Sequence, residues 1–373
     1  MENFLQEKLT ERQRENSLRE LHQYQEGLAD FFSNDYLSFA QSICHKQKIQ
    51  QLLDAHPNYK NGATGSRLIS GNTKFAEELE QKIADFHQAE AVLIFNSGYD
   101  ANVGLLSSIA QRGDTIICDE LIHASLIDGA RLSLANRYTF AHNDLRALEE
   151  KLKQSKGNIF VVTESVFSMD GDCAPLLELS ELTEKYKANL IVDEAHALGV
   201  FGKYGEGLTQ HLNLQHKVFA RIYTFGKALG CHGAAVVGST LLRQYLINFA
   251  RSFIYTTALP YHALACIAVG YEEITKTSER ALLLENIRLF TRLTSRKENT
   301  VMPSASAIQS ILVPGNEACK KLATQLQKSG FNVKAILSPT VAKGKERLRI
   351  CLHAHNTKAE IYELTSQLNI NHD

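Results

Sequence analysis

Short apolar segments alternate with amphipathic helical segments along the chain from Ala91 onward. Several of the apolar segments have no polar position, which is typical of strands buried on both faces of a sheet. The intervals between them have helical periodicity, as in Leu176–Tyr186 and Asp144–Lys153. This alternation predicts an α/β fold in which helices cover a large, mostly parallel sheet. The predicted strands are Ala91–Phe95, Thr115–Cys118, Ile159–Thr163, Leu190–Val192, Arg221–Thr224 and Ala234–Gly238.

The two ends of the chain have different patterns, so we predict three regions. Residues 1–40 would form an N-terminal helix over Phe4–Tyr24 and an extended segment, residues 41–271 a large domain, and residues 272–373 a smaller α/β C-terminal domain. In the last region, Asn316 is predicted to cap a helix that runs to Ser329 before Gly330. A capping box formed by Thr357 and Glu360 begins the final helix. The remaining predicted strands are Ile308–Val313, Phe331–Leu337 and Arg347–Leu352.

Composition and charge exclude several classes of partner. The chain has 40 Lys and Arg residues against 41 Asp and Glu residues, a formal net charge of −1, which gives no electrostatic basis for binding nucleic acid or an anionic membrane. No apolar segment reaches the roughly 18 residues that cross a bilayer, and Met1–Thr10 lacks the apolar region of a signal peptide. The seven cysteines are scattered, as expected for free thiols in the cytoplasm.

Polar residues follow the predicted strands, and the ends of parallel strands meet at one edge of a sheet, where ligands bind. Asp193 directly follows Leu190–Val192, where a buried carboxylate is costly unless it is paired. It either caps a helix or forms a structural ion pair, or it is the counter-ion of a bound cation such as a protonated pyridine nitrogen. Lys227 follows the next strand and Gly226. It is either an ordinary surface lysine or an amine with a lowered pKa that reacts with an aldehyde.

Two further strand ends carry weaker signals. Ser97, Gly98 and Tyr99 precede a predicted helix, and the first amides of such a helix can bind phosphate. His123 either stacks on a flat ligand or is a structural histidine. The Gly-Lys pair at Lys227 is not a P-loop, because Ala228 stands where Ser or Thr is needed. The chain also lacks the glycine fingerprint of nicotinamide enzymes and any His- or Cys-rich metal spacing, so no metal site is predicted.

Ten short stretches occur in a fixed order from about residue 28 onward. They are Phe32–Leu37, Gly65–Gly71, Asn96–Tyr99, His123–Leu126, His142–Asp144, Glu164–Asp172, Asp193–His196, Thr224–Lys227, Tyr255–Pro260 and Arg347–Arg349. Together these stretches resemble the α-oxoamine synthase family of pyridoxal 5′-phosphate (PLP) enzymes. The resemblance implies the fold-type I architecture of PLP-dependent transferases. It covers nearly the whole chain, and the ordered set of motifs is highly specific for that family.

The resemblance also implies a role for each matching residue. Lys227 would hold PLP as a Schiff base and move a proton, Asp193 would pair with the pyridine nitrogen, and His123 would stack on the ring, so these three are the predicted catalytic residues. Asn34 and Arg349 would bind the carboxylate of the amino acid substrate. The predicted cofactor-binding residues are Ser97, Gly98, Tyr99, His123, Glu164, Ser168, Asp193, His196, Thr224 and Lys227, with Thr256 and Thr257 contributed by a second subunit.

The implied reaction is a condensation of an amino acid with an acyl thioester that releases CO2. The leading interpretation is L-alanine with a pimeloyl thioester, carried on coenzyme A or on acyl-carrier protein, in a cytoplasmic homodimer with shared active sites. Three positions depart from the family pattern and leave the acyl partner open: Ser38, Ala76 and Leu337. Three alternatives remain: a family member that uses glycine, another PLP class such as an aminotransferase or lyase, or a binding protein of the same fold without turnover.

Overall fold

The computed structural model describes residues 2–21, 27–295 and 300–368. The chain divides into two compact units, which are taken here in turn. The first comprises Met1–Tyr36, Met169–Asp172 and Ala281–Asp373, and the second comprises Leu37–Ser168 and Cys173–Arg280. The domain boundaries proposed at residues 40 and 271 stay a prediction.

The helices and strands are numbered in chain order. The helices are α1 (Asn3–Arg14), α2 (Ile43–Asp54), α3 (Lys74–Phe86), α4 (Gly98–Ile109), α5 (Ala124–Leu132), α6 (Leu145–Gln154), α7 (Leu176–Lys185), α8 (Leu208–His211), α9 (Thr240–Phe249), α10 (Arg251–Ile254), α11 (Tyr261–Ile274), α12 (Glu279–Thr294), α13 (Asn316–Lys328) and α14 (Lys358–Gln367). The strands are β1 (Ala29–Asp30), β2 (Ala91–Phe95), β3 (Thr115–Asp119), β4 (Asn136–Phe140), β5 (Ile159–Glu164), β6 (Asn189–Asp193), β7 (Ala220–Thr224), β8 (Ala234–Gly238), β9 (Ile308–Leu312), β10 (Phe331–Asn332), β11 (Lys334–Ile336) and β12 (Arg347–Cys351).

A seven-stranded sheet forms the centre of the second unit, with the strand order β2-β8-β7-β6-β5-β3-β4. Strands β3 to β7 run parallel, and β8 is antiparallel to both β2 and β7. Apolar side chains from the sheet and its helices form one core, in which Leu105, Leu126 and Ile191 are fully buried. All six strands predicted for this region are confirmed. The mostly parallel order brings the ends of β5, β6 and β7 side by side.

Local sequence signals fix where several helices of this unit begin. The Ser97 side chain accepts a hydrogen bond from the Asp100 amide and caps α4, while the Asp144 side chain caps α6 through two amides. Such caps satisfy amides that have no partner inside the helix. The predicted helices Leu176–Tyr186 and Asp144–Lys153 agree with α7 and α6 to within a residue at each end.

The first unit contains a three-stranded antiparallel sheet with the order β11-β12-β9, and β1 pairs in parallel with β10. The capping box of Thr357 and Glu360 is confirmed, and Gly330 follows α13 with a φ of 95°. The prediction that Asn316 is a cap is wrong, because Gly315 occupies that position. The Asn316 side chain instead accepts from the Ser338 amide and donates to the Glu15 carbonyl.

Two other predictions for this unit need correction. Helix α1 ends at Arg14, short of the predicted Tyr24, and residues 22–26 lie outside the described part of the chain. The single strand predicted over Phe331–Leu337 is divided into β10 and β11 by Val333, and the two short strands pair with different partners.

Among the described helices, none has the length and apolar character needed to cross a bilayer. All seven cysteines are free thiols.

Candidate functional site

The site in the second unit is built at the ends of two neighbouring parallel strands. Asp193 is the last residue of β6, and Lys227 lies in the turn that follows β7. The Lys227 Nζ is 2.8 Å from the Nε2 of His196, in the turn after β6. Because an ammonium group has no lone pair, a charged Lys227 donates this hydrogen bond and His196 accepts it. An amine, an imidazole and a carboxylate therefore converge at one edge of the sheet.

Asp193 is a buried carboxylate with only 4% of its surface exposed. Its Oδ1 accepts a hydrogen bond of 2.9 Å from the Ala195 amide, and its Oδ2 accepts one of 2.8 Å from the Asn102 side chain. Two N–H donors stabilise the ionised form of a buried acid. The arrangement suits a carboxylate that keeps its negative charge and attracts a cationic partner.

The start of helix α4 lies against the end of β7. A Cβ atom added to Gly98 would collide with the Oγ1 of Thr224, so only glycine allows this close approach. Backbone amides at a helix N-terminus and a neighbouring hydroxyl are the donors that a phosphate needs. Tyr99 is different: its hydroxyl donates a hydrogen bond of 2.8 Å to Asp128, and the residue is 49% exposed.

Glu164 ends β5 beside this edge and is 2% exposed. Its carboxyl group accepts hydrogen bonds from the amides of His123 and Ser168. Burial, reinforced by the Asp193 charge, raises the pKa of Glu164 to about 8, although Lys227 and these amides act in the opposite direction. Glu164 is therefore predominantly neutral at pH 7.

This pKa leads to a pH-dependent stability. A carboxyl group whose pKa is higher in the folded protein than in the unfolded chain loses its stabilising contribution as the pH rises towards the folded value. Replacing Glu164 by Gln removes this titration. We expect the stability of the wild type relative to Glu164→Gln to fall by about 2 kcal/mol between about pH 6 and about pH 8. Chemical denaturation of both proteins at each pH measures this difference in stability. Glu178→Gln, which changes an exposed carboxyl group, is the control, and we expect its stability relative to the wild type to show no such dependence on pH. A pH-independent difference would contradict the elevated pKa.

Thr256 and Thr257 lie beside Asn96, the residue that follows β2 in the same chain. The Asn96 side chain donates to the Thr256 hydroxyl at 3.0 Å and to the Thr257 carbonyl at 2.7 Å. Their contribution to the site of a second subunit stays a prediction.

In the first unit, Asn34 and Arg349 are in contact, and their binding of a substrate carboxylate stays a prediction. Arg349 is 7% exposed, and its Nη2 donates a hydrogen bond of 2.9 Å to the Oδ1 of Asn34. The same oxygen accepts from the Tyr36 hydroxyl, and the other terminal nitrogen of Arg349 contacts the Cys351 thiol at 2.9 Å. These contacts fix the orientation of the Arg349 guanidinium, and a guanidinium is the side-chain group best suited to bind a carboxylate.

Among the described residues of the first unit, one group has residue types that bind metals, namely Asp30, His353 and His355. His353 already uses both ring nitrogens, because Nδ1 is 3.0 Å from the Asp30 carbonyl and Nε2 is 3.1 Å from the Ser33 hydroxyl. A metal ion would have to displace one of these hydrogen bonds. The three residues are therefore better described as a structural network.

Two residues that the sequence analysis missed connect the site in the second unit. Asn102, on α4, donates to both Asp193 and Ser125, and the Ser125 hydroxyl lies 2.7 Å from the Nδ1 of His123. The only signal in the sequence is a polar residue four positions after Gly98, on the buried side of the helix. That signal is too weak to distinguish a binding residue from a satisfied core amide.

The departures from the family pattern lie outside this cluster. Ser38 has a φ of 62°, in the left-handed region that favours glycine. Ala76 is buried in the first turn of α3, where its amide donates to the Thr73 side chain. Leu337 lies in the first unit after β11.

A family model, a sequence relative and two solved structures were compared with this chain, and all of them indicate the same group of proteins. The family model "Aminotransferase class I and II" matches residues 26–368. The chain is 42% identical to 8-amino-7-oxononanoate synthase of Emericella nidulans, over 94% of this chain and 91% of the relative. A solved 8-amino-7-oxononanoate synthase from Francisella tularensis is 30% identical with a TM-score of 0.79, covering 92% of this chain and 97% of that one. A solved structure of SPT with PLP is 25% identical with a TM-score of 0.90, covering 98% and 97%.

The described residues fit PLP. Lys227 supplies the amine, Asp193 supplies a buried carboxylate, and the narrow gap between Gly98 and Thr224 supplies phosphate donors that a Cβ atom would block. PLP is an aldehyde with a cationic ring and a phosphate group, so each part has a matching partner on this edge of the sheet. The chain belongs to the aminotransferase class I and II family, as a fold-type I, PLP-dependent α-oxoamine synthase.

Proposed function

We propose that this enzyme condenses L-alanine with a pimeloyl thioester and releases 8-amino-7-oxononanoate, CO2 and the free thiol, a step of biotin biosynthesis. The observation that carries the proposal is the pairing of Lys227 with His196 beside the buried Asp193, in a chain that is 42% identical to an 8-amino-7-oxononanoate synthase. Coenzyme A or acyl-carrier protein as the thioester carrier, a homodimer with shared sites and a cytoplasmic location are parts of the same proposal.

Each residue of the site has a defined task in this proposal. Lys227, His123 and Asp193 are the catalytic residues, and the backbone of Ser97, Gly98 and Tyr99 binds phosphate together with Thr224. Bound PLP supplies an electron sink that accepts negative charge from the α-carbon of the amino acid. The Nζ of Lys227 takes the proton from that carbon, and the Nε2 of His196, 2.8 Å away, accepts a hydrogen bond from the same amine.

The remaining residues orient the reactants. Asp193, whose carboxylate accepts hydrogen bonds from the Ala195 amide and the Asn102 side chain, would pair with the protonated ring nitrogen. Arg349, oriented by Asn34, binds the carboxylate of the amino acid until that group leaves as CO2. Proton transfer by a positioned group such as the Lys227 amine contributes about 10²–10⁴-fold to a rate. Glu164 and Ser168 line the ring pocket, and Thr256 and Thr257 reach the phosphate of the partner's site.

Product analysis across a panel of substrates tests the proposal. The purified enzyme with PLP is incubated with L-alanine or glycine and with pimeloyl-, succinyl- or acetyl-CoA, and also with pimeloyl-carrier protein. We expect mass spectrometry to detect 8-amino-7-oxononanoate from alanine and a pimeloyl donor as the dominant product. A preference for glycine with a short acyl chain would instead assign the enzyme to the glycine-using members of the family. Absence of any condensation product would reject the synthase proposal.

A further inference from the structure

A continuous line of hydrogen bonds connects the buried carboxylate of Asp193 to the His123 ring. Asn102 donates from one nitrogen to the Oδ2 of Asp193 at 2.8 Å and to the Oγ of Ser125 at 2.9 Å. The Ser125 Oγ is in turn 2.7 Å from the Nδ1 of His123. Asn102, Ser125 and Asp193 are 2%, 0% and 4% exposed, so water does not compete for these contacts. The three residues come from α4, α5 and β6.

The charge on Asp193 fixes the orientation of the Asn102 amide. An ionised carboxylate only accepts hydrogen bonds, so the nitrogen of the amide faces it. The two hydrogens of that nitrogen then serve Asp193 and Ser125. The Oδ1 of Asn102 is left buried, and within the described part of the chain no donor reaches it. Rotating the amide by half a turn would place this oxygen against the Asp193 carboxylate, which has no hydrogen to donate, so that the buried hydrogen bond to Asp193 would be replaced by a repulsion between two oxygen atoms.

The orientation of Asn102 then decides the proton on Ser125. Since the Ser125 oxygen accepts from Asn102, its hydroxyl hydrogen is available for the Nδ1 of His123. The Ser125 amide also donates to that nitrogen, at 3.2 Å. A nitrogen that accepts two hydrogen bonds carries no proton of its own. The ring proton of His123 therefore lies on Nε2.

We propose that Asn102 and Ser125 are positioning residues, which fix His123 as the neutral tautomer protonated on Nε2 and couple this state to the charge on Asp193. His123 is exposed while Ser125 is fully buried, so the ring is held from one side and accessible on another.

The charged groups around His123 agree with a neutral ring. Desolvation is the main cause that lowers the pKa of His123, and the Lys227 ammonium acts in the same direction. Asp193 and Asp128 oppose them and do not prevail. Glu164, which accepts from the His123 amide, is itself mostly neutral because of its raised pKa.

The consequence rests on the proposed function, in which His123 faces the cofactor ring. An imidazolium there would repel the positive charge on the pyridine nitrogen that pairs with Asp193, since two neighbouring cations interact more strongly at a protein site than in bulk water. A neutral His123 avoids that conflict and retains one donor, Nε2–H, for the reacting groups. The same hydrogen-bond line that stabilises the anionic Asp193 thus keeps the histidine uncharged.

Nuclear magnetic resonance of the PLP-loaded enzyme labelled with ¹⁵N-histidine tests the tautomer directly. Loss of one signal set in His123→Gln assigns that residue among the 14 histidines of the chain. We expect the wild-type spectrum to show a bare Nδ1 and a protonated Nε2. In Ser125→Ala, which removes a hydrogen bond to the neutral ring, we expect the proton affinity of His123 to rise about tenfold. Ser125→Thr, which keeps the hydroxyl, should restore the wild-type titration.

The matched control is Ser108→Ala. Ser108, on α4, is another buried serine, but its hydroxyl donates to the carbonyls of Gly104 and Leu105 in its own helix. Its replacement should leave the titration of His123 unchanged. A protonated Nδ1 in the wild type would overturn the inference, as would an unchanged titration in Ser125→Ala. The wild-type spectrum is decisive even if Ser125→Ala does not fold. None of these readouts requires turnover, so an enzyme that fails the product panel yet shows this tautomer rejects the proposed function alone.

Discussion

Lys227→Ala is expected to lower the rate of product formation by at least about 10²–10⁴-fold, the range that a positioned proton-transfer group contributes. The expected loss has two causes. The variant has no amine to hold the cofactor covalently, and it has no base at the position 2.8 Å from His196. Product formation from alanine and a pimeloyl thioester under saturating substrate measures the rate. Borohydride treatment followed by peptide mass analysis should find PLP fixed to Lys227 in the wild type and no label in the variant.

Two control variants separate the roles of this lysine. Lys217→Ala removes an exposed lysine that contacts Glu184 at 3.0 Å, and we expect full activity and unchanged labelling. Lys227→Arg keeps a positive charge but not a nucleophilic amine, because arginine is not deprotonated in proteins. It should be as inactive as the alanine variant. Substantial activity or labelling in Lys227→Ala would mean that another amine holds the cofactor, and the site would have to be reassigned.

Much of the fold was predictable because buried parallel strands leave a strong pattern. Strands β2 and β8 coincide with the predicted Ala91–Phe95 and Ala234–Gly238. Strand β4 was missed because it is an edge strand, where only Phe140 is buried and the other four positions are exposed. Its residues carry no apolar run, and its position depends on pairing with β3. An edge strand of this kind is determined by its neighbour more than by its own side chains.

The candidate site was predictable where single residues follow strands, and less so where helices supply polar partners. Asp193 and Lys227 were found because strand ends mark the ligand-binding edge of a parallel sheet. Asn102 and Ser125 stand on helices, and Asn102 is 91 positions away from its partner Asp193. No local spacing encodes such a contact. Asn316 shows the opposite error, since a good local cap signal was overridden when its side chain bridged Glu15 and Ser338.

Asp193→Asn is expected to reduce the condensation rate by about 10²–10⁴-fold while leaving the fold intact. Removing one partner of a buried charge pair costs about 3–5 kcal/mol, and each 1.4 kcal/mol or so corresponds to a factor of ten. Asparagine keeps the size of the side chain but not the charge that retains a proton on the cofactor's ring nitrogen. The same loss should weaken PLP binding, which equilibrium titration of the cofactor measures alongside the rate.

Asp119→Asn is the matched control for this charge. Asp119 also ends a parallel strand, β3, and is fully buried, where it accepts hydrogen bonds from the Leu121 and Asn143 amides and contacts His142 at 3.0 Å. We expect its replacement to lower the unfolding free energy while PLP affinity stays close to that of the wild type. Only Asp193 should combine a small change in folding with a large loss of cofactor affinity and rate. Equal effects of both variants on PLP binding would contradict a specific ion pair between Asp193 and the ring.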